Sequence, residues 1–413
     1  MNELLEKAKK LKHTTKRLGM LTTEEKNKAL AKMADHILNK KDWILSENTK
    51  DIQLGKENGV SPAFLDRLLL TEERIGQIVD GLHQLVTLED PVGEKIEAWE
   101  RPNGLHIQTV RVPLGVIGMV YEARPNVTVD AASLCLKAGN SVLLRGSASA
   151  LNSNKALVQV MCDSLEGTAI PPDAIQLLED TSRETASEMF KLNGYIDVLI
   201  PRGGAGLIQT VIQNATVPVL ETGVGNCHVY VDETAMENMA IDIVINAKTH
   251  RPSVCNAAET LLIHKNWPYA SKLLHALSER GVELRGDDTL SSTYSFVKQA
   301  SEEDWHKEYL TTILAVKLVK GVKEAIEHID KYGTKHSEAI ISETGQNVDL
   351  FLQAVDAAVV YHNASTRFTD GEQFGYGAEI GISTQKLHAR GPMGLRAITT
   401  TKAIVRGTGQ IRS

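Results

Sequence analysis

The chain predicts an α/β protein with two domains, each built on a parallel sheet. Three observations carry that expectation. From Gly115 onward, short continuous apolar runs alternate with amphipathic segments, the pattern of strands buried on both faces beneath helices. The alternation is renewed at CHVYVD, Cys227 to Asp232, which opens a second region of the same texture. The length of 413 residues is also too great for one ordinary domain.

Taken in order, the first ~90 residues read as helices. Leu4, Leu5, Ala8 and Leu11 fall at helical spacing, as do Ala29, Met33, Ile37 and Leu38. Ser61-Pro62 and Thr71-Glu72-Glu73 read as helix starts, and Ile75, Ile78, Val79, Leu82 and Leu85 continue the apolar stripe. IEAWERPNGLHIQTVRVP reads as two strands around a Pro-Asn-Gly turn. GVIGMVYE, SVLLRG, AIQLL, IDVLIP and VPVLETG then read as strands, with helices such as VTVDAASLCLKAGN and NKALVQVMCDSLEG between them. In the second region ENMAIDIVINAKTH is a helix, and AETLLIH, LAVKLV, SEAIIS and AAVVYHN are strands. The closing run LRAITTTKAIVRG alternates like an edge or partner-pairing strand.

Composition excludes several function classes. Apolar residues make up 42% and charged residues 23%, ordinary for a water-soluble globular chain. A net charge of -7 points away from nucleic acid and from anionic membranes as partners. No apolar run reaches the ~20 residues that span a bilayer. The charged start MNELLEKAKKLKHTTKRLG lacks the apolar core of a signal peptide, so a cytoplasmic location is expected. The four cysteines, Cys135, Cys162, Cys227 and Cys255, include no CxxC pair, and no histidine is spaced to complete a metal site with them. No metal is expected. Free cysteines are most often small buried hydrophobes, the expectation for Cys135, Cys162 and Cys227.

Five segments carry residue types suited to chemistry, and each also has a purely structural reading. VLLRGSASA runs a strand into Arg145-Gly146-Ser147, where a cation and hydroxyls at a strand end suit a phosphate. An ordinary strand-to-helix loop would look the same. IPRGGAGLIQ places Arg202, Gly203 and Gly204 before a helix, where backbone N–H groups can approach an anion, though it is not GxGxxG and a glycine-rich strand-to-helix turn is common. VLETGVGNCHV sets Glu221 among glycines, either a general base or a solvated loop residue. ARPNVTVD places Asn126 at a helix start, as a cap or as an amide donor to an oxyanion. THRPSVCNAAET centres on Cys255, where His250 and Arg251 are charges that would favour a thiolate or simply face solvent; read alone, a buried cysteine is the expectation.

In their order along the chain these segments resemble the aldehyde dehydrogenase superfamily over nearly the whole length. An Asn opens a helix after the first strand of the nucleotide-binding domain; a basic strand end, a glycine pair, a Glu among glycines and a Cys follow, here 34 residues after Glu221. The stretches VYEARPNVTVDAASLCLKAGN, ETGVGNCHVYVD, INAKTHRPSVCNAAETLLIH and VYHNASTRFTDGEQFGYGAEIGISTQKLHARGPMGL are closest to the branch that reduces an acyl phosphate. RPN in place of PWN, ETGVG in place of ELGG and the missing Gly-Gln before the Cys point to the same branch.

The resemblance implies an aldehyde dehydrogenase-like fold with residues 1–98 and 113–225 as the NADP-binding domain and 226–363 as the catalytic domain. It assigns 99–112 and 364–413 to an oligomerisation flap and C-terminal segment. The implied reaction reduces L-glutamyl 5-phosphate with NADPH to the 5-semialdehyde and phosphate, in proline biosynthesis. Cys255 is then the nucleophile that forms a thioester, Asn126 and the Cys255 N–H stabilise the oxyanions, and Glu221 tunes the thiol or moves a proton. Arg145, Gly146, Ser147, Arg202, Gly203, Gly204 and Glu308 are the implied cofactor residues. Ala148 stands where NAD-preferring relatives carry an acid, which favours NADP+/NADPH. Arg124, Arg251 and Arg367 are candidates for the substrate. A homo-oligomer and a transient complex with glutamate 5-kinase are also implied. The rivals are a hydrolytic semialdehyde dehydrogenase of the same fold and a non-catalytic protein that retains it.

Overall fold

The computed structural model describes residues 3–412. They form two compact units. The first takes the chain up to Glu221 with Gly375–Gly381 and the stretch from Met393, and the second takes Thr222–Phe374 with Ile382–Pro392.

The first unit opens with five helices: α1 (Glu3–Leu18), α2 (Thr23–Asn39), α3 (Lys41–Glu57), α4 (Pro62–Leu68) and α5 (Glu72–Thr87). Local chemistry sets their ends. Thr22 and Glu25 form a reciprocal capping box on α2, while Ser61 and Thr71 cap α4 and α5 through their hydroxyls. Leu4, Ala8 and Leu11 are buried, as are Ala29, Met33 and Ile37; Leu38 faces solvent, because it lies one step off the stripe. Lys26, itself fully buried, meets the Asp90 carboxylate at 2.7 Å.

Strands β1 (Lys95–Glu100) and β2 (His106–Pro113) form the expected hairpin, with Glu100 opposite His106 and Gly104 at φ +82° in the turn. The C-terminal strand, Thr399–Arg406, pairs antiparallel with β2 along its whole length. β3 (Val116–Tyr121), α6 (Pro125–Lys137), β4 (Ser141–Arg145), α7 (Leu151–Leu165), β5 (Ile175–Leu177), α8 (Arg183–Met189), β6 (Val198–Arg202) and α9 (Ala205–Asn214) complete the unit. Its parallel sheet has the order β5-β4-β3-β6. Every β3 side chain is buried, as a strand covered on both faces requires. The segment VPVLETG contributes only one bridge, Val219 to Leu199, instead of a strand, because the chain turns away after Leu220 donates to the Leu199 carbonyl.

The second unit holds β7 (Cys227–Val231), α10 (Glu237–Thr249), β8 (Ala258–His264), α11 (Ala270–Glu279), β9 (Glu283–Gly286), α12 (Asp288–Thr293), β10 (Val297–Gln299), α13 (Glu302–His306), β11 (Ile313–Val319), α14 (Val322–Tyr332), β12 (Ser337–Ile341), α15 (Gly345–Ala354) and β13 (Val359–His362). All seven strands are parallel, in the order β10-β9-β11-β8-β7-β12-β13. β9 and β10 carry no clear alternation in sequence; their runs are short and half-exposed, β10 being the edge strand and β9 its neighbour. Leu261, Ile263, Leu273, Leu277, Leu314 and Val316 are fully buried in one core layer, each contributing on the order of 1.5–3 kcal/mol by burial. Tyr230, Leu262, Ile329 and Phe351 fill the other face. No helix among the described residues is long and apolar enough to cross a membrane.

Candidate active site

In the first unit the candidate residues gather at the carboxyl edge of the parallel sheet. The chain enters the sheet at β3, proceeds to β4 and β5 on one side, and returns to β6 on the other. That change of direction leaves a crevice beyond the strand ends, where α/β sheets receive ligands. Tyr121, the end of β3, lies opposite Arg202, the end of β6, and Val120 lies opposite Arg145, the end of β4. Arg145 donates from Nη2 to the carbonyls of Thr181 at 2.6 Å and Ser182 at 3.2 Å, while its buried Nε has no protein partner. The Asp180 carboxylate acts on the same guanidinium.

The glycines of this edge have different reasons to be there. A Cβ at Gly146 would strike Asn154 Nδ2 at 2.3 Å and the Tyr121 ring at 3.1 Å, so this glycine is required by packing. A Cβ at Gly203 would strike the Glu122 side chain at 2.6 Å. Gly204 caps α9 without a side-chain acceptor for the first-turn N–H groups. Ser147 already accepts from the Ser149 N–H, holding the loop that enters α7.

Asn126 sits in the first turn of α6, exposed, and Arg124 is the exposed residue before that helix. The Asn126 amide donates to the Asp130 carboxylate at 3.0 Å, one helical turn on. Burial pushes the Asp130 carboxyl up to about 6, against the opposing pull of Asn126 and Arg202. Asp130 is a partner of the candidate Asn126 that the sequence did not single out; its i+4 spacing was the available signal. Glu221, half-buried, ends this unit directly after Leu220.

In the second unit the candidates gather at the amino ends of β7 and β8. Cys255 carries a half-buried thiol, in no disulfide, on the turn between α10 and β8. Its carbonyl oxygen is gripped closely. An added Cβ on Gly225 would lie 1.5 Å from it, so only glycine permits the approach. The Cys227 thiol, at the first position of β7, donates to the same oxygen at 3.2 Å. Glu308 accepts from the Gly225 N–H at 2.8 Å, and burial raises its carboxyl above the ordinary range. At least one oxygen of Glu308 is thus spent on the loop that faces Cys255. Asn256, the next residue, is buried and donates to the Thr369 carbonyl at 2.8 Å, while the Thr366 hydroxyl donates to the Asn256 carbonyl at 2.7 Å.

Arg367, half-buried, keeps its Nε out of solvent with no protein partner. Burial depresses its guanidinium and the nearby Arg251 charge adds to that, while the Asp370 carboxylate and then the thiols of Cys255 and Cys227 act in the opposite sense. Two cations and a thiol therefore share one electrostatic neighbourhood, and Arg251 is exposed. Beneath them Lys248 and Glu259 form a fully buried pair at 2.6 Å, with the Glu259 carboxyl pushed up to about 7 by burial. Of the other thiols, Cys135 is fully buried, and Cys162 is half-buried instead of in the core, directed at the Pro172 and Ile175 carbonyls. Both are pushed up by burial, Cys162 to about 12. No group of three or more His, Cys, Asp or Glu side chains suited to a metal exists among the described residues.

Comparison with known proteins matches this arrangement to one family. Residues 1–304 fit the model of the aldehyde dehydrogenase family. A gamma-glutamyl phosphate reductase from Geobacillus sp. (strain WCH70) is 72% identical over 413 residues, covering 100% of both chains. The crystal structure of gamma-glutamyl phosphate reductase from Thermotoga maritima superposes with a TM-score of 0.98 at 50% identity, again covering 100% of each chain. An acetylating aldehyde dehydrogenase from Geobacillus thermoglucosidasius shares the fold with a TM-score of 0.73 at 17% identity, covering 100% of this chain and 98% of its own. The chain belongs to the aldehyde dehydrogenase family, in the branch formed by its two closely similar full-length relatives.

Proposed function

We propose that this chain reduces L-glutamyl 5-phosphate to L-glutamate 5-semialdehyde with release of phosphate, the second step of proline biosynthesis from glutamate. The observation that carries the reading is the half-buried Cys255 thiol beside Arg251 and Arg367, in a chain 72% identical over its full length to a gamma-glutamyl phosphate reductase. Cations beside a thiol favour the thiolate, and the unpartnered Arg367 Nε is a ready donor to an anionic substrate group.

Cys255 Sγ attacks the acyl carbon, the bond to phosphate breaks, and a thioester joins the glutamyl group to the protein. Phosphate carries away the electron pair. The Asn126 amide and the Cys255 backbone N–H hold the oxyanion that forms on attack, a donor of this kind being worth on the order of 3 kcal/mol of barrier. A second oxyanion forms when the thioester carbonyl is reduced; it collapses to the aldehyde as Sγ leaves. Glu221 supplies or removes the proton at the sulfur or the oxygen.

A dinucleotide fits the carboxyl edge of the first unit. The strand-order reversal, the unpartnered Arg145 Nε, Arg202, the glycine pair and the uncapped first turn of α9 are the features that receive one. Bound there, NADPH supplies the hydride. Arg145 favours the 2′-phosphate over a free ribose hydroxyl, and Asp180 limits that preference by competing for the same charge. Glu308 orients the nicotinamide side through its remaining oxygen. Arg124, Arg251 and Arg367 bind the substrate anions.

The protein acts in the cytoplasm as a homo-oligomer assembled through the sheet of β1, β2 and the C-terminal strand. It receives its labile acyl phosphate from glutamate 5-kinase in a transient complex. In the reverse direction, glutamate 5-semialdehyde and NADP+ yield NADPH only when inorganic phosphate is present, and Cys255→Ala abolishes the signal. Turnover without phosphate would instead make the enzyme a hydrolytic semialdehyde dehydrogenase, with Glu221 activating water.

A further inference from the structure

We infer that Cys227 is a positioning residue for the nucleophile: its thiol, by donating to the Cys255 carbonyl, fixes the backbone from which the Cys255 side chain projects. The inference rests on the reading of Cys255 as nucleophile. Cys227 is fully buried and occupies the first position of β7, a central strand, so its own backbone is held by the sheet. Its Sγ lies 3.2 Å from the Cys255 oxygen. The same oxygen is pressed from a second direction by Gly225, whose N–H is tied to Glu308.

The contact is one link of a closed ring. Behind the sulfur, His336 Nδ1 lies at 3.6 Å and meets the Ser337 hydroxyl at 2.8 Å. Ser337 meets the Thr369 hydroxyl at 2.7 Å, and the Thr369 carbonyl accepts from Asn256, the residue bonded to Cys255. Thus the peptide between Cys255 and Asn256 is anchored at its oxygen by Cys227 and through the Asn256 side chain by Thr369. With that peptide held, rotation about χ1 is the main freedom left to the nucleophilic sulfur.

A thiol suits this place. Sulfur is less demanding to bury than a hydroxyl, and burial lifts the Cys227 thiol well above its ordinary value, so its proton stays in place as a donor. The bland alternative is that Cys227 only fills space. The two make opposite predictions for two replacements, since serine keeps a donor but loses volume, and valine keeps volume but loses the donor.

The test measures steady-state turnover with glutamate 5-semialdehyde, phosphate and NADP+ for Cys227→Ser, Cys227→Val and Cys227→Ala. Alongside it, the rate of iodoacetamide labelling at Cys255 is followed by mass spectrometry in the protein without cofactor. Cys227→Val and Cys227→Ala are expected to lower kcat by about 10- to 100-fold with KM values within about twofold, as small misplacements of a reacting group do. Both are expected to shift the Cys255 labelling rate, and Cys227→Ser is expected to restore most of both properties. Val matching the wild type, with Ser impaired, would overturn the inference in favour of space-filling. Thr366→Val, which removes the donor to the Asn256 carbonyl beside that ring, is expected to repeat the kcat loss, and an unchanged kcat there would also count against it. Cys255→Ala separates the two readings: if that variant kept turnover, the nucleophile assignment would fall whatever position 227 does.

Discussion

At the scale of single residues, the sequence picked out candidates for the chemistry but not what holds them. Cys255 and Arg251 stand out in THRPSVCNAAET because their types and spacing suggest reactivity. Asn256, which anchors the Cys255 peptide through Thr369 and Thr366, reads in sequence as an ordinary polar residue. Its partners lie more than a hundred positions away, and no local pattern encodes them. Gly146 and Gly225 were equally alike on paper. Only the fold separates a glycine required beneath Tyr121 from one required beneath the Cys255 carbonyl. The consequence is sharp at Gly225. Gly225→Ala would place a methyl group 1.5 Å from that oxygen, so the turn must move. Turnover is expected to fall by about 100-fold or more, while thermal unfolding, followed by circular dichroism, reports the accompanying strain.

At the scale of elements, alternation was a dependable guide where strands are covered on both faces, as in β3, β7, β8 and β12. It failed for the edge strand β10 and its neighbour β9, which are too short for a continuous apolar run, and for VPVLETG, whose apolar residues pack without a ladder. Charge clamps between segments escaped it as well. Asp356, in the turn between α15 and β13, accepts from Lys386 at 2.8 Å and Arg390 at 2.7 Å, and meets Lys335 at 3.2 Å. Those cations hold its carboxyl well below the usual range. A folded-state value below the unfolded one means that the clamp stabilises the protein above the unfolded carboxyl value, and that this contribution is lost as pH falls toward the folded one. Asp356→Asn is therefore expected to lower the urea midpoint at pH 7 by an amount worth roughly 1 kcal/mol. The gap between variant and wild type should narrow progressively below pH 4. A gap that stays constant down to pH 3 would show that the clamp stabilises by packing and not by charge.

At the scale of the whole molecule, the α/β class with parallel sheets was legible from length and alternation alone, and the family followed from the order of its motifs. Surface logic is harder to read, because it depends on which strand face is left bare. Ile96, Trp99 and Val405 are exposed on the sheet of β1, β2 and the C-terminal strand. Apolar side chains on an exposed sheet with open edges suit pairing with another copy. Val405→Lys combined with Trp99→Lys is expected to shift the species seen by light scattering toward the monomer, and an unchanged mass would place the assembly surface elsewhere.

The pairing of β2 with Thr399–Arg406 also sets an order of events in synthesis. Residues 106 to 113 emerge well before their hydrogen-bonding partner, which follows the whole second unit. Until then one edge of β2 must remain without its strand, and the first unit cannot be finished while the whole second unit is being made. A chain wired in this way closes this sheet late, since contacts between distant segments form late. Removal of the Thr399–Arg406 strand would leave that edge permanently open, and the expected result is aggregation of nascent chains before any loss of chemistry could be measured.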